Sequence, residues 1–318
     1  MLLIAASVLI AATSASLDDR LKSEIDRLDA LLKSKEAVAS KELADLPKIY
    51  RSALDRARQA KTAETRLYRL RGAYPGIESF AFMMDHQDSK KDLPSMQKLW
   101  DQSQPRFRTT PAARGTFLQR ALQQAASNRA EKMFAASIAY AKIDEPASGL
   151  YYIGEAEGNR RYREFVRSLA SATDDQTRVP SEGSLRSAFN EVQDAAIRTF
   201  EKDPTATTLL QLNAKLKETR ELLDAKRLEA ATLLLLESRY ELSKRAPETV
   251  AASPSAIPPN DAMTALFSEI ASLETPENAR ALQNDVLPMY ASLSTRKAIA
   301  ESRVTKPVTV TLIRWPYT

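Results

Sequence analysis

The sequence predicts an all-α protein: a multi-helix bundle packed around one long central helix, followed by an extended or single-strand C-terminal tail. Three observations carry that expectation. Glycine is scarce, 7 residues in 318, and Ala, Leu, Glu, Lys, Arg, Gln and Ser dominate, a mixture that favours helices over sheets. Over Thr205 to Arg245, Leu209, Leu212, Leu216, Leu223, Ala230 and Leu234 recur at helical steps, which lays them along one side of a helix. From Leu228 on, Ala231, Leu235 and Leu242 add a second stripe and Leu236 and Tyr240 a third. That half must be covered nearly all round, which makes it the expected central post.

The elements follow in chain order. Leu2 to Ala12 is an uncharged apolar run followed by Thr13, Ser14 and Ala15, so residues 1–15 read as a secretory signal peptide cut near Ser16. The run is shorter than the ~20 residues a membrane helix needs. Leu21, Ile25, Leu28 and Leu32 form the stripe of an amphipathic first helix. A second helix is expected over Pro47 to Arg71, with Tyr50, Leu54, Ala57, Leu67 and Leu70 facing inward and Gly72, Pro75 and Gly76 ending it.

From Ile77 to Pro111 the periodicity weakens, and a lid or binding loop is expected there, broken by short helices near Phe80 to Met84 and Ser95 to Gln102. Four later helices are expected to start on an acidic or hydroxyl residue followed by proline: Thr110–Pro111, Glu145–Pro146, where Asp144 is the better cap, Asp203–Pro204 and Thr275–Pro276. A further helix over Ser184 to Glu201 carries Leu185, Phe189, Val192, Ala196 and Phe200 on one face. Glu221 to Ala231 lacks glycine and proline, which favours a continuous helix through Thr205–Arg245 over a two-helix hairpin.

The expected domain order is a signal peptide at 1–15, a helical bundle at 16–245, a proline-rich linker at 246–259, a helical pair at 260–303 and an extended tail at 304–318. In the tail, Val308, Val310 and Leu312 alternate as in a strand, and Trp315 and Tyr317 follow. No second strand is available to pair with it. These five residues form a candidate strand for a partner's sheet edge, or a strap on the bundle.

Chemistry is mostly bounded by what is missing. The chain has no cysteine and one histidine, which excludes Cys/His zinc sites and paired-histidine metal motifs within a single chain. No phosphate loop or nucleophile elbow occurs. Neither a cofactor, a metal nor a catalytic residue is assigned. His86 with Asp85 and Asp88 reads as a polar helix end. The net charge of +5 is mild and speaks mainly to solubility.

The most unusual pattern is the face Tyr151, Gly154, Glu155, Gly158 and Tyr162. Each helical glycine costs roughly 1 kcal/mol relative to alanine, so something must compensate: a neighbouring helix at close range, or a shallow interaction cleft. Glu155 and Glu157 suggest glycoside hydrolysis, which needs two carboxyls facing across a sugar at ~5 or ~6.5–9.5 Å. Two residues apart on a helix, they diverge by about 200°. Arg160, Arg161, Arg163 and Arg167, with Arg106, Arg108 and Arg114, form basic groups interleaved with Tyr162 and Phe107.

The expected function is therefore an exported, non-enzymatic helical scaffold or interaction protein whose partner is another envelope or secreted protein. No nucleic acid partner and no membrane span after signal cleavage are expected. The alternatives are a carbohydrate-active hydrolase with unpaired loop carboxylates and a binder of anionic polymers through its arginines.

Overall fold

The computed structural model describes residues 16–37, 46–143, 145–170, 179–202 and 208–245, together with Leu266 and Glu269. The chain divides into two compact units, Met1–Leu273 and Glu274–Thr318, and every described residue belongs to the first. The expected signal peptide, proline-rich linker and 304–318 tail, and, apart from Leu266 and Glu269, the expected 260–303 helical pair lie outside the described residues. Within them the protein is an all-α multi-helix bundle without strands.

Helix α1 (Leu17–Glu36) buries Leu21, Ile25, Leu28 and Leu32, the stripe read from the sequence, and Ser16 caps it by accepting from the Asp19 amide. The expected second helix is two helices, α2 (Leu46–Gln59) and α3 (Ala63–Leu70). Thr62 makes the break, because its extended backbone and hydroxyl, which accepts from Thr65 N, cap a new helix. Pro75 and Gly76 do not end a helix but open the next, α4 (Tyr74–Asp85), with Pro75 in the first turn, where no amide hydrogen is needed. Gly76 leaves room for the Tyr50 ring: a Cβ there would lie 2.3 Å from it.

The expected lid over 77–111 is largely helical. After α4 come a 3-10 turn at Gln87–Lys90, helix α5 (Leu93–Ser103) and a 3-10 turn at Gln104–Phe107. Periodicity fails over α4 because it is buried on most sides, including Ile77, Glu78, Ser79, Phe80, Ala81, Phe82 and Met83. Helix α6 (Phe117–Ile143) starts later than Thr110–Pro111 would place it. Its start is a reciprocal capping box, in which Gln119 N donates to Thr116 Oγ1 and Thr116 N to Gln119 Oε1. Helix α7 (Pro146–Leu169) begins at the expected proline.

Helices α6 and α7 run antiparallel in close contact: a Cβ at Gly149 near the tip would meet Ala141, and one at Gly115 at the other end would meet Ala170. Helix α4 lies along α7, with α1 and α2 against α4 and α3 against α2. On α6 sits α10 (Leu228–Arg245), flanked by α8 (Glu182–Lys202) and α9 (Thr208–Asp224). The expected single helix over 205–245 is thus a hairpin of α9 and α10, and the α6–α7 pair joins the two groups of helices.

The hairpin turn explains its own invisibility. Arg227 N donates to Leu222 O and Lys226 N to Leu223 O, the hydrogen bonds of a Schellman termination, which needs a left-handed residue where Lys226 stands. Lys226 has φ of 56° and fills the position usually taken by glycine, so no breaker marks the turn. The Arg227 guanidinium then fixes the start of α10 by bonding Asn128 and Glu131 of α6. Covering of α10 is as its pattern requires: Leu233, Leu234 and Leu235 are all buried, and Leu234 and Leu235 share a core with Leu185, Phe189, Val192, Leu212 and Leu216.

Candidate functional site

Helix α7 carries the residues singled out by the sequence, and it separates them onto different surroundings. Gly154 and Gly158 face α4. A Cβ on Gly154 would sit 2.9 Å from Met83 Cγ and 3.0 Å from Ser79 Oγ, and one on Gly158 would sit 2.0 Å from the Pro75 carbonyl oxygen. The two glycines therefore let the backbones of α4 and α7 approach, and that contact offsets their helical cost. Tyr162 continues this seam. It is fully buried, donates to Leu67 O at 3.1 Å, and packs 5.3 Å from the Tyr74 ring, which stacks on Phe165. Burial pushes the Tyr162 phenol well above its ordinary range.

Tyr151 lies elsewhere, near the α6–α7 tip. It meets Tyr152 edge-on at 5.4 Å, and Tyr152 stacks on Tyr140 at 4.2 Å. Tyr140 is 43% exposed and Ile143, the last residue of α6, is 84% exposed. Among the described residues the exposed large hydrophobics are Leu93, Tyr140, Ile143 and Ile197, and two of them, Tyr140 and Ile143, stand at the end of α6.

Glu155 and Glu157, the tempting acid pair, belong to different environments. Glu155 is buried, with Arg129 Nη2 at 3.7 Å as its cation; burial raises its pKa and Arg129 works against the rise. Glu157 is held below the ordinary carboxylate value: burial acts to raise it, but Arg160, Arg106 and Arg161 outweigh that. Raised and lowered partners are the pattern of an acid–base pair. Here each carboxyl answers to its own arginines, and neither faces the other across a substrate.

Glu157 is one node of a ladder. Arg106 Nη1 lies 2.9 Å and Arg160 Nη2 2.7 Å from it, with Arg161 Nε at 3.4 Å. Arg161 also bonds Glu78 at 2.6 Å, Arg27 bonds both Glu78 and Glu24, and Arg160 reaches Glu164. The ladder ties α1, α4, α7 and the 104–107 turn through two carboxylates, Glu78 and Glu157, that are almost wholly buried. Arginine suits this role because its planar fork bonds two carboxylates at once.

The remaining basic residues are also engaged with the protein itself. Arg108 donates to Gln104 Oε1, Arg114 to the Arg167 carbonyl, and Arg167 to the Ala112 carbonyl. Arg163 is buried. Of the His86 group, the imidazole stacks on Phe82 with Nδ1 2.8 Å from the Phe82 carbonyl, while Asp85 pairs with Lys35 and Asp88 with Lys91. Among the described residues no cluster of three or more His, Asp or Glu could hold a metal ion, and no helix is long and apolar enough to cross a membrane.

Sequence reasoning missed Glu78, Arg27 and a second buried centre at Glu237. Glu237 on α10 receives Arg71 Nη1 at 2.7 Å and Nη2 at 3.1 Å, with Lys215 Nζ at 3.4 Å. A signal was present. Glu78 is a lone acid inside an apolar run and Glu237 directly follows one, Leu233–Leu236, where a charge has to find a partner.

No protein-family model matches the chain, and no curated protein and no solved structure matches it either. The functional reading accordingly rests on the geometry above.

Proposed function

We propose that the chain is an exported, non-enzymatic helical scaffold that acts by binding another envelope or secreted protein. One observation carries the reading: the buried carboxylates of the bundle, Glu78, Glu155, Glu157 and Glu237, are each set against a cation from another helix or turn. Such groups clamp helices together. A glycosidase needs its two carboxyls open to a sugar between them. The same pairing weighs against the polymer binder, whose arginines would have to face solvent unpaired.

The contact surface on this reading is the α6–α7 tip, where Ile143 and Tyr140 are exposed beside Tyr152. Exposed aromatic and aliphatic anchors of this kind are the usual core of a protein interface. A photoreactive amino acid placed at position 143 in the native host should give one discrete protein adduct, reduced at least tenfold by Tyr140→Ala. The same probe at Lys33, on the exposed side of α1, should give none. Equal labelling at both positions would dismiss the tip as an interface. Loss of a glycan-hydrolysing activity in Glu155→Gln would favour the hydrolase instead.

A further inference from the structure

Away from α7, the corner between α2 and α3 holds a carboxylate from more than 200 residues along the chain. Glu269 Oε1 accepts from the backbone amides of Lys61 and Thr62, the latter at 3.2 Å. Its other oxygen accepts from the hydroxyls of Thr62 and Thr65, both at 2.8 Å. Four donors thus meet two oxygens, two to each. They sit at the N-terminal end of α3, where the helix dipole also favours an anion. The seated carboxylate, and not the helix end alone, identifies the feature.

The surroundings are built for the same occupant. Thr65 is fully buried, so its hydroxyl must have an acceptor, and Glu269 is one. Thr62 Oγ1 caps α3 by accepting from Thr65 N while also bonding Glu269, so one residue ends the α2–α3 break and binds the acid. One helical turn before Glu269, Leu266 is 4% exposed, and both residues are helical. Burial of Glu269 would raise its pKa, but the bonds from Thr62 and Thr65 prevail and hold it low, in the charged form that accepts four bonds.

We propose that the α2–α3 corner is a binding site for an acidic helical turn, a glutamate preceded by leucine three residues earlier, and that Leu266 and Glu269 are its occupant in cis. The carboxylate supplies the selectivity and the leucine the apolar anchor. Glutamine at 269 would turn amide hydrogens toward donors, and aspartate is one methylene shorter. Covalent linkage keeps the local concentration of this occupant high, so the wild-type site is filled by its own chain. Once vacated, it accepts the same turn from a separate molecule.

The test uses the full chain carrying Leu266→Ala and Glu269→Ala, titrated with a fluorescent peptide copying residues 260–273. The peptide should bind saturably, and at least tenfold more weakly when its glutamate is changed to glutamine. Wild-type chain should bind it at least tenfold more weakly than the vacated chain, and Thr65→Val in the vacated chain should abolish binding. Equal affinity of the glutamate and glutamine peptides, or of the wild-type and vacated chains, would overturn the proposal. Independently, the absence of cysteine allows Leu266→Cys in an otherwise wild-type chain to be labelled by a maleimide. Labelling should be at least tenfold slower than at Lys33→Cys and should accelerate when Glu269→Gln is added; labelling as fast as at Lys33→Cys would also overturn the proposal.

Discussion

Gly158→Ala is expected to lower the melting temperature of the bundle by about 4–8 °C, although alanine is the better helix former by roughly 1 kcal/mol. The added methyl would meet the Pro75 carbonyl oxygen at 2.0 Å and Ser79 N at 3.0 Å. Both are backbone atoms of α4 and cannot rotate aside. The two helices must separate, and Tyr162, Tyr74 and Phe165 in the same seam lose contact with them. Overpacking of this kind costs about 1–3 kcal/mol and sometimes more, which outweighs the gain in propensity and leaves a net loss of about 2 kcal/mol. Gly183 on α8 is the control, since a Cβ there meets nothing within 4 Å. Gly183→Ala should leave the melting temperature unchanged or raise it slightly. Equal behaviour of the two variants would mean that α4 and α7 are not in backbone contact.

The second large effect is expected at the Glu237 centre. Arg71→Met leaves a carboxylate with 2% of its side chain exposed and Lys215, at 3.4 Å, as the cation beside it. Breaking a buried pair from one side costs about 3–5 kcal/mol, and the remaining lysine places this variant near 3. The double variant Arg71→Met with Glu237→Leu should recover most of the loss, because no uncompensated charge is left. The pH dependence has a definite sign. Burial acts to raise the Glu237 pKa, but Arg71 and Lys215 outweigh it, so the folded value lies below the unfolded one near 4.5. The stabilisation is therefore present above that value and lost as pH falls through the folded value. The gap between wild type and Arg71→Met should be widest near pH 7, narrow on acidification and close as pH falls through the folded Glu237 value. A gap that does not depend on pH would assign Arg71 a packing role only.

Those two sites also show what the sequence exposes and what it hides. The stripe of α1 and the faces of α8 and α10 were legible because each buries residues at helical spacing against neighbours on known sides. The proline at the start of α7 was legible because its chemistry is local. The α2–α3 and α9–α10 breaks were not, since Thr62 caps without a glycine or proline nearby and Lys226 takes a left-handed position without being glycine. The late start of α6 was hidden for a related reason: Thr116 and Gln119 form the box, while the more conspicuous Thr110–Pro111 pair is not helical.

At the candidate site, the two glycines announced a close approach but not its partner. Whether a ligand or α4 fills that face depends on residues 75–83, whose own pattern is blurred by burial on most sides. The ion-pair ladder was half legible. Glu157 and Glu164 stand one turn from Arg160 in sequence, whereas Arg27, Glu78 and Arg106 reach it only through tertiary packing. Long-range pairs leave no periodic trace. An acid inside or at the end of an apolar run, as at Glu78 and Glu237, is the trace they do leave.

The central claim is that the glycine–tyrosine face of α7 is closed by α4 and that α10 is covered by its neighbours. Native-state amide hydrogen exchange resolved along the chain tests it most directly. The account predicts that amides across Gly154–Tyr162 and Leu233–Leu236 exchange only through global unfolding and are the slowest in the bundle, well behind the frayed ends of α1. Exchange across Gly154–Tyr162 as fast as at the ends of α1, slowing only when another molecule is added, would contradict it and return that face to the role of an open cleft.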